Sequence, residues 1–530
     1  MDLTACTNTI VQLLCLYASD VIAAARAMRN RNSLIFTGEP TGEMDVRLFR
    51  QSTVRILSAG AGLFAFLCCA GRVSGQTAPG SYDHPWHAVA EEKIAADAKE
   101  LHDLRFSVDT AKTYSLAELV DMAESHNPET RLAWERARAQ AAVLGIARSE
   151  LYPILTAAAL SNTRRQEVYL QKRFYRQTIQ DFEAALELNY TVFDFGRRSG
   201  RIDAAKAEVL ADNFAFNDVH RQIIYQVEHA YYQLLNASGQ EDAVRASLSN
   251  AQAVQQAAEE RLNNGLATLP DVLEARSATA EAEYELQAVL GAEQVAQGDL
   301  ATSLGTSPTI AILVQPLKDL PIPDAIADSV EAAIDRALTQ RPDLMQQVAQ
   351  IRSANARVKE ARSAFYPVMN VNARPAGQSL YGMQQTFPWG HTAGLTGGLT
   401  LNLNWTVFDG GARRNSLAQA QANERAAQAQ VKTTRDQIAD QVWAAYSNLS
   451  TAFRQHKSAE ALLEASSESY DAALESYNYG LRNFLDVTAA QRTLAQARSA
   501  DVFARTQVLA AVVDLAFRTG DAVQPTATVP

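Results

Sequence analysis

The residue types that support catalysis or metal binding are present in this 530-residue chain, but they are not spaced for either task. Thiol chemistry would fall to Cys6, Cys15, Cys68 and Cys69. All four precede Gln76, so the remainder offers no disulfide and no thiolate ligand. The eight histidines are scattered, and His84 and His87, in a Pro-Trp context, read as surface residues. There is no HExxH pair, no Walker loop and no CxxC. Carboxylates are numerous, but on long helical stretches they read as solvated faces or as the lining of a lumen. These patterns point away from an enzyme and give no cofactor or metal to expect. A net charge of -11 also argues against nucleic acid, which needs a basic surface to neutralise phosphates.

The N-terminal part carries an address instead. Arg47, Arg50 and Arg55 precede an apolar stretch from Ile56 to Ala70, followed by Val73, Ser74 and Gly75 before Gln76. Positive, apolar and then small is the order of a secretory signal. The stretch is too short for an ordinary spanning helix. Residues 1–75 are therefore expected to be an extension and signal segment, with Met44 as the alternative start. Cys69 is a candidate for lipid attachment, although Phe66-Leu67-Cys68 fits a lipoprotein cleavage box poorly. No later segment offers 18 consecutive apolar residues, which excludes a helical membrane bundle. An exported chain of this kind is periplasmic, secreted or an outer-membrane β-barrel.

The remaining chain is a duplication. Asn127-Pro128-Glu129 recurs as Arg341-Pro342-Asp343, and Leu151-Tyr152-Pro153 as Phe365-Tyr366-Pro367. Leu188-Asn189-Tyr190-Thr191-Val192-Phe193-Asp194 recurs as Leu403-Asn404-Trp405-Thr406-Val407-Phe408-Asp409. Tyr232 is matched with Tyr446, and Gly265 and Asp271 with Gly480 and Asp486. The spacing predicts a segment 76–114, a first repeat 115–305, a Pro-containing linker 306–327, a second repeat 328–520 and a tail 521–530. Each repeat is expected to hold a helix near 128–150 or 342–364, two extended segments, a Pro-free helix near 196–264 or 411–479, and a return helix near 268–304 or 483–518. A 68-residue helix is about 100 Å long, which implies a coiled coil or a helical tube.

The extended segments alternate. Leu399, Leu401, Leu403, Trp405 and Val407 interleave with Thr400, Asn402, Asn404, Thr406 and Phe408, and Leu186 to Phe193 behaves alike. Weaker strands are expected at Ile154–Ser161 and Val368–Arg374. Alternation of this kind suits an outer-membrane barrel, and Tyr190 and Trp405 could be interfacial anchors; it also suits a half-buried strand of a soluble sandwich. Four strands per chain cannot close a barrel, and an open edge is excluded from lipid. Two chains would give a filled eight-stranded barrel, whereas three give twelve strands and an aqueous lumen. The expected fold is thus an α+β membrane protein, a trimeric 12-stranded β-barrel continued by a long α-helical coiled-coil barrel.

The paired Asn-aromatic-Thr-Val-Phe-Asp strands, each running into Gly and Arg, resemble the TolC-like outer membrane efflux proteins, as do the Gly-containing helix turns. The resemblance covers about 115–520. It implies a homotrimer in outer-membrane lipid of a Gram-negative-type bacterium, with a large periplasmic portion. It further implies a periplasmic adaptor and an inner-membrane transporter as partners, in efflux or type I secretion. In the turn Arg261 to Thr268, glycine suits a helix end and Thr268 with Asp271 suits the next helix start. The resemblance adds adaptor contact at Gly265, Leu266 and Thr268, and at Gly480 and Leu481, although Ser476 and Asn483 depart from Arg261 and Thr268. It also places Tyr477, Arg482, Asp486 and Asp271 at a periplasmic gate, with Ala489 and Pro270 departing from the pattern. The competing reading is a periplasmic coiled-coil adaptor or scaffold, which would lack duplicated amphipathic strands.

Overall fold

The computed structural model describes residues 91–100, 106, 108–170, 172–323, 329–384 and 387–521. The signal-like stretch, Cys69, the other cysteines, His84, His87 and residues 522–530 lie outside the described residues. Helix α1 (Glu91–Glu100) belongs to an N-terminal unit of its own; the rest concerns the unit from His102 onward.

In that unit one order of elements occurs twice. Strand β1 (Thr113–Tyr114) leads into α2 (Leu116–His126), α3 (Pro128–Ser149), strands β2 (Ile154–Leu170) and β3 (Arg173–Phe193), α4 (Arg197–Asn263) and α5 (Leu269–Ser303). A connection carrying β4 (Leu313–Val314) follows. Then come α6 (Val330–Gln340), α7 (Pro342–Ser363), strands β5 (Val368–Ala373), β6 (Ala376–Gln384), β7 (Phe387–Thr396) and β8 (Leu399–Asn404), and helices α8 (Ala412–Asn478) and α9 (Phe484–Thr519). Helices α4 and α8 have 67 residues each, or about 100 Å at 1.5 Å per residue.

Helix ends follow local chemistry. Pro128 and Pro342 stand in first turns, where a missing N–H costs little. Ser115 and Glu118 form a reciprocal cap on α2. Gly265 and Gly480, at φ 75° and 76°, end the long helices in the left-handed region. The helix extents fall within one residue of those expected.

The 67-residue helices pair with shorter ones, α4 with α3 and α5, α8 with α7 and α9. Their cores are thin and alanine-rich. Ile223, Val227, Ala230, Leu234 and Ala237 are buried on α4, and Ile438, Val442, Ala445, Leu449 and Ala452 are buried on α8, each 215 residues later. That register pairs Tyr446 with the fully buried Tyr231 and not with Tyr232, which corrects one sequence match by a residue. The short helices meet end to end. Asn127 Nδ2 donates to the Ser303 carbonyl at 3.0 Å, joining α5 to α3, and Arg341 Nη1 donates to the Arg518 carbonyl at 3.3 Å, joining α9 to α7. The connection after α5 is anchored. β4 pairs in parallel with β1, and Ile312 is buried against the α4 core.

The sheet is an antiparallel meander with β3 at its centre, pairing β2 on one side and β5 and β6 on the other. Beyond these, β8 pairs β5 and β7 pairs β6. Six segments thus make four passes. The second hairpin is interrupted at Arg374-Pro375 and Gly397-Gly398, where proline has no N–H to give the ladder. Two bonds bridge the gap, Leu186 N to the Pro375 carbonyl at 2.9 Å and Arg374 N to the Gly398 carbonyl at 2.9 Å.

Two strand expectations need correction. The first hairpin is far longer than Ile154–Ser161 and Leu186–Phe193, because pairing continues to Leu170↔Arg173. The last strand stops at Asn404 and not at Phe408. Its partner β5 begins at Val368, opposite Asn404, so Trp405 to Phe408 find no strand to pair with.

Candidate functional site

The helix turns at 261–271 and 476–486 share a backbone. Leu266 N bonds the Arg261 carbonyl at 2.8 Å and Gly265 N the Leu262 carbonyl at 2.9 Å; Leu481 N and Gly480 N repeat this to Ser476 and Tyr477 at 2.8 and 2.9 Å. This double bond closes a helix C-terminus around a left-handed glycine. Leu266 and Leu481 are 68% and 79% exposed, so each turn presents a leucine at its apex. The next helices start differently. Thr268 N and Oγ1 both donate to Asp271 Oδ2 at 2.8 Å, whereas Asp486 N donates to Asn483 Oδ1 at 2.9 Å.

The side chains separate the two turns further. Arg261 reaches across to the second turn, stacking 4.5 Å over the Tyr477 ring and donating to its carbonyl at 3.2 Å. Tyr477 is buried, edge-on to Phe484 at 5.8 Å. Burial pushes its phenol above the usual tyrosine range, and Arg261 offsets part of that. Arg482 is exposed and makes no hydrogen bond or ion pair with a described residue. Asp271 is therefore held by its own turn and is not joined to Arg482 within one chain. Sequence reasoning missed the Arg261–Tyr477 clasp. Its signal was the departure already visible between the turns, Arg261 where the second has Ser476.

The second region is the sheet and its junction with the helices. Register places Leu188, Ala373 and Leu399 in one row and Tyr190, Val371 and Leu401 in the next, all on one face. Leu399, Leu401 and Leu403 are 62–77% exposed. The opposite face is lined by carboxamides and hydroxyls. Thr191 donates to Asn370 at 2.9 Å, Asn402 to Asn372 at 2.8 Å, and Asn372 to Asn189. The sheet can therefore meet lipid on one side and water on the other.

Below it, the repeated Asp-x-Gly-x-Arg has one use twice. Asp194 accepts from the N–H groups of Gly196 and Arg198 and from Arg198 Nε at 2.8 Å, capping α4. Arg198 then donates to the carbonyls of Glu150 and Val192, tying α3 and β3 to α4. Asp409 and Arg413 repeat this for α8. Burial alone would raise the Asp194 carboxyl, but Arg198 and Gly196 hold it below the usual range. No cluster of metal-binding side chains occurs among the described residues. No described helix is long and apolar enough to cross a membrane.

The family described as Outer membrane efflux protein matches residues 119–306 and again 333–521. The chain belongs to this family. Among its relatives, Outer membrane protein OprJ of Pseudomonas aeruginosa is 28% identical over 81% of this chain and 88% of its own length. Protein CyaE of Bordetella pertussis is 26% identical over 74% of this chain and 81% of its own. A solved membrane protein from Pseudomonas aeruginosa superposes with TM-score 0.68 at 27% identity, covering 76% of this chain and 93% of that one. The outer membrane protein VceC of Vibrio cholerae, at 20% identity and TM-score 0.63, shares the fold. As an outer membrane efflux protein, the chain is an exit duct in the outer membrane with a large periplasmic portion. Its family consists of channels, which disfavours the adaptor reading.

Proposed function

We propose that three copies of the chain form one duct, a twelve-stranded barrel in outer-membrane lipid continued by a periplasmic helical tube. The observation that carries this is the sheet. It is apolar on one face, and among the described residues neither β2 nor β7 and β8 pairs with a strand on its outer edge. Unpaired backbone groups cannot rest in hydrocarbon, so the edges need further copies of the same sheet. The test is the size of the detergent-extracted particle from outer membranes. A particle of three chains supports the reading; a monomer soluble in water without detergent overturns it.

The duct would receive its cargo from a periplasmic adaptor and an inner-membrane transporter, in efflux or type I secretion. The exposed apices at Gly265, Leu266, Thr268, Gly480 and Leu481 are the parts of the helical tips available to the adaptor. Cys69 would add a lipid anchor if the segment ahead of it is cleaved there. The gate would be built from Tyr477, Arg482, Asp486 and Asp271. Among the described residues Arg482 has no partner in its own chain, and the Asp271 and Asp486 carboxylates of a neighbouring copy supply one. A charged clasp of this kind holds the tube shut until a partner favours the open state. Arg482→Ser should raise single-channel conductance in planar bilayers; unchanged conductance would remove Arg482 from the gate.

A further inference from the structure

The apolar face of the first hairpin ends in arginine. Going from the helices toward the tip, the face of β2 and β3 that carries Leu188 is free of charged residues through Thr163 and Gln180. Its first charges are Arg165, opposite Thr178, and Arg176, opposite Glu167. Both arginines are exposed, and neither has a hydrogen bond or ion pair with a described residue. They are diagonal neighbours across the ladder, about 7 Å apart at Cβ, so two guanidinium groups can share one anion.

Depth gives that anion a setting. The helices join the hairpin at Ile154 and Phe193, so its tip points away from the periplasmic portion. From Tyr190 to Phe182 is about 27 Å along the strand, or about 21 Å along the membrane normal at a tilt near 40°. The row of Thr178 and Arg165 stands about 31 Å above Tyr190, just past an apolar band about 25 Å tall. The arginines are therefore level with lipid headgroups on the outer side. Below them the same face is hollow. A depression of about 610 Å³ lies over Ala159, Ala184, Gly377 and Ala393, beside Phe182. One row past Arg176, Tyr169 and Phe174 pack ring to ring at 5.0 Å and are 60% and 69% exposed.

We propose that Arg165 and Arg176 hold the phosphate monoester of an outer-leaflet lipid whose acyl chain lies in the hollow below. This rests on the sheet facing lipid as proposed above. A phosphate monoester carries about −1.5 to −2 charge at pH 7, which two guanidinium groups match with paired N–H donors. A soluble phosphate leaves the hollow empty, and an uncharged lipid leaves the arginines unpaired. Glu167 opposes the contact, because its carboxylate shares the face with Arg176. The second hairpin, from Ala376 to Thr396, contains no arginine or lysine, so each chain offers one such site.

Intact-mass measurement of the detergent particle tests this. The full chain is purified from outer membranes and mixed with dioleoyl phosphatidic acid, or with dioleoylglycerol, which is the same lipid without phosphate. Retention of phosphatidic acid, up to one per chain, with none of dioleoylglycerol supports the site. Arg165→Gln and Arg176→Gln should each weaken retention about tenfold, and Glu167→Gln should strengthen it. Equal retention of both lipids by the unmutated chain, or unchanged retention with both arginines replaced, overturns the site. Displacement by equimolar glycerol 3-phosphate would make it a site for soluble phosphate and overturn the lipid. A particle with the mass of three chains that retains no phosphatidic acid overturns the site alone. A particle with the mass of one chain overturns the assembly and the site with it.

Discussion

The junctions below the sheet and the turns at the helix tips are both duplicated, and the duplication has fared differently in each. At the junctions the copies agree to the atom. Asp194 with Arg198 and Asp409 with Arg413 cap, pair and brace in the same way. At the tips the copies share a backbone and diverge in side chains, so that Arg261 from one clasps Tyr477 from the other. A junction solves a problem every repeat has: four unpaired N–H groups where a strand turns into a helix. A tip meets whatever lies beyond the chain, so nothing obliges its copies to match.

The largest effect that would break this contrast lies at the first junction. Asp194→Ala strips the cap from α4 and leaves Arg198, 13% exposed at its side chain, without its carboxylate. A cost of about 3 kcal/mol is expected, read from chemical denaturation in detergent. Asp409→Ala should cost less, because that pair is more open to water. Equal costs would mean that the copies are not graded by burial.

At the tips a smaller effect is expected. Arg261→Ala removes a cation–π contact and a hydrogen bond, about 1–2 kcal/mol together. Near-ultraviolet circular dichroism should show the Tyr477 ring losing its fixed environment. Ser476→Ala, at the matching position, should leave that signal alone. A similar loss from both would dissolve the asymmetry.

The smallest effect is a pH dependence centred on a carboxyl pair that the second repeat lacks. Burial, a hydrogen bond and the charge of Glu241 push the Glu293 carboxyl up to about 7. Folding thus favours the protonated acid. Its contribution is complete below the ordinary carboxylate range and disappears as pH rises through about 7. The second repeat has His456 and Val508 at these places and no such pair. Melting temperature should fall between about pH 5 and pH 8, and Glu293→Gln should lessen that fall, leaving the part due to Glu228, whose carboxyl burial also pushes up to about 7. An unchanged slope would assign the pH dependence to other groups.

Much of this architecture was legible in advance because long Pro-free runs end at glycines that adopt positive φ. The helix lengths follow from that alone. The hairpins were legible only where one face is apolar. Beyond Ser161 the strand runs through Asn162, Thr163, Arg164, Arg165, Gln166 and Glu167, where alternation fades although pairing continues. Periodicity reports a difference between two faces, and here there is none to report. The clasp of Arg261 on Tyr477 joins residues 216 apart in sequence, and no local pattern encodes such a meeting.

The end-to-end joints at Asn127 and Arg341 have a mechanical consequence. Each 67-residue helix is one unbroken stave, while the stave beside it is two pieces meeting at a seam of side-chain and carbonyl bonds. Torque applied at the tips is carried as gentle curvature in the first kind. In the second it concentrates at the joint, where no continuous backbone resists rotation. The joints at Asn127 and Arg341 are thus the points at which the two-piece staves resist bending least.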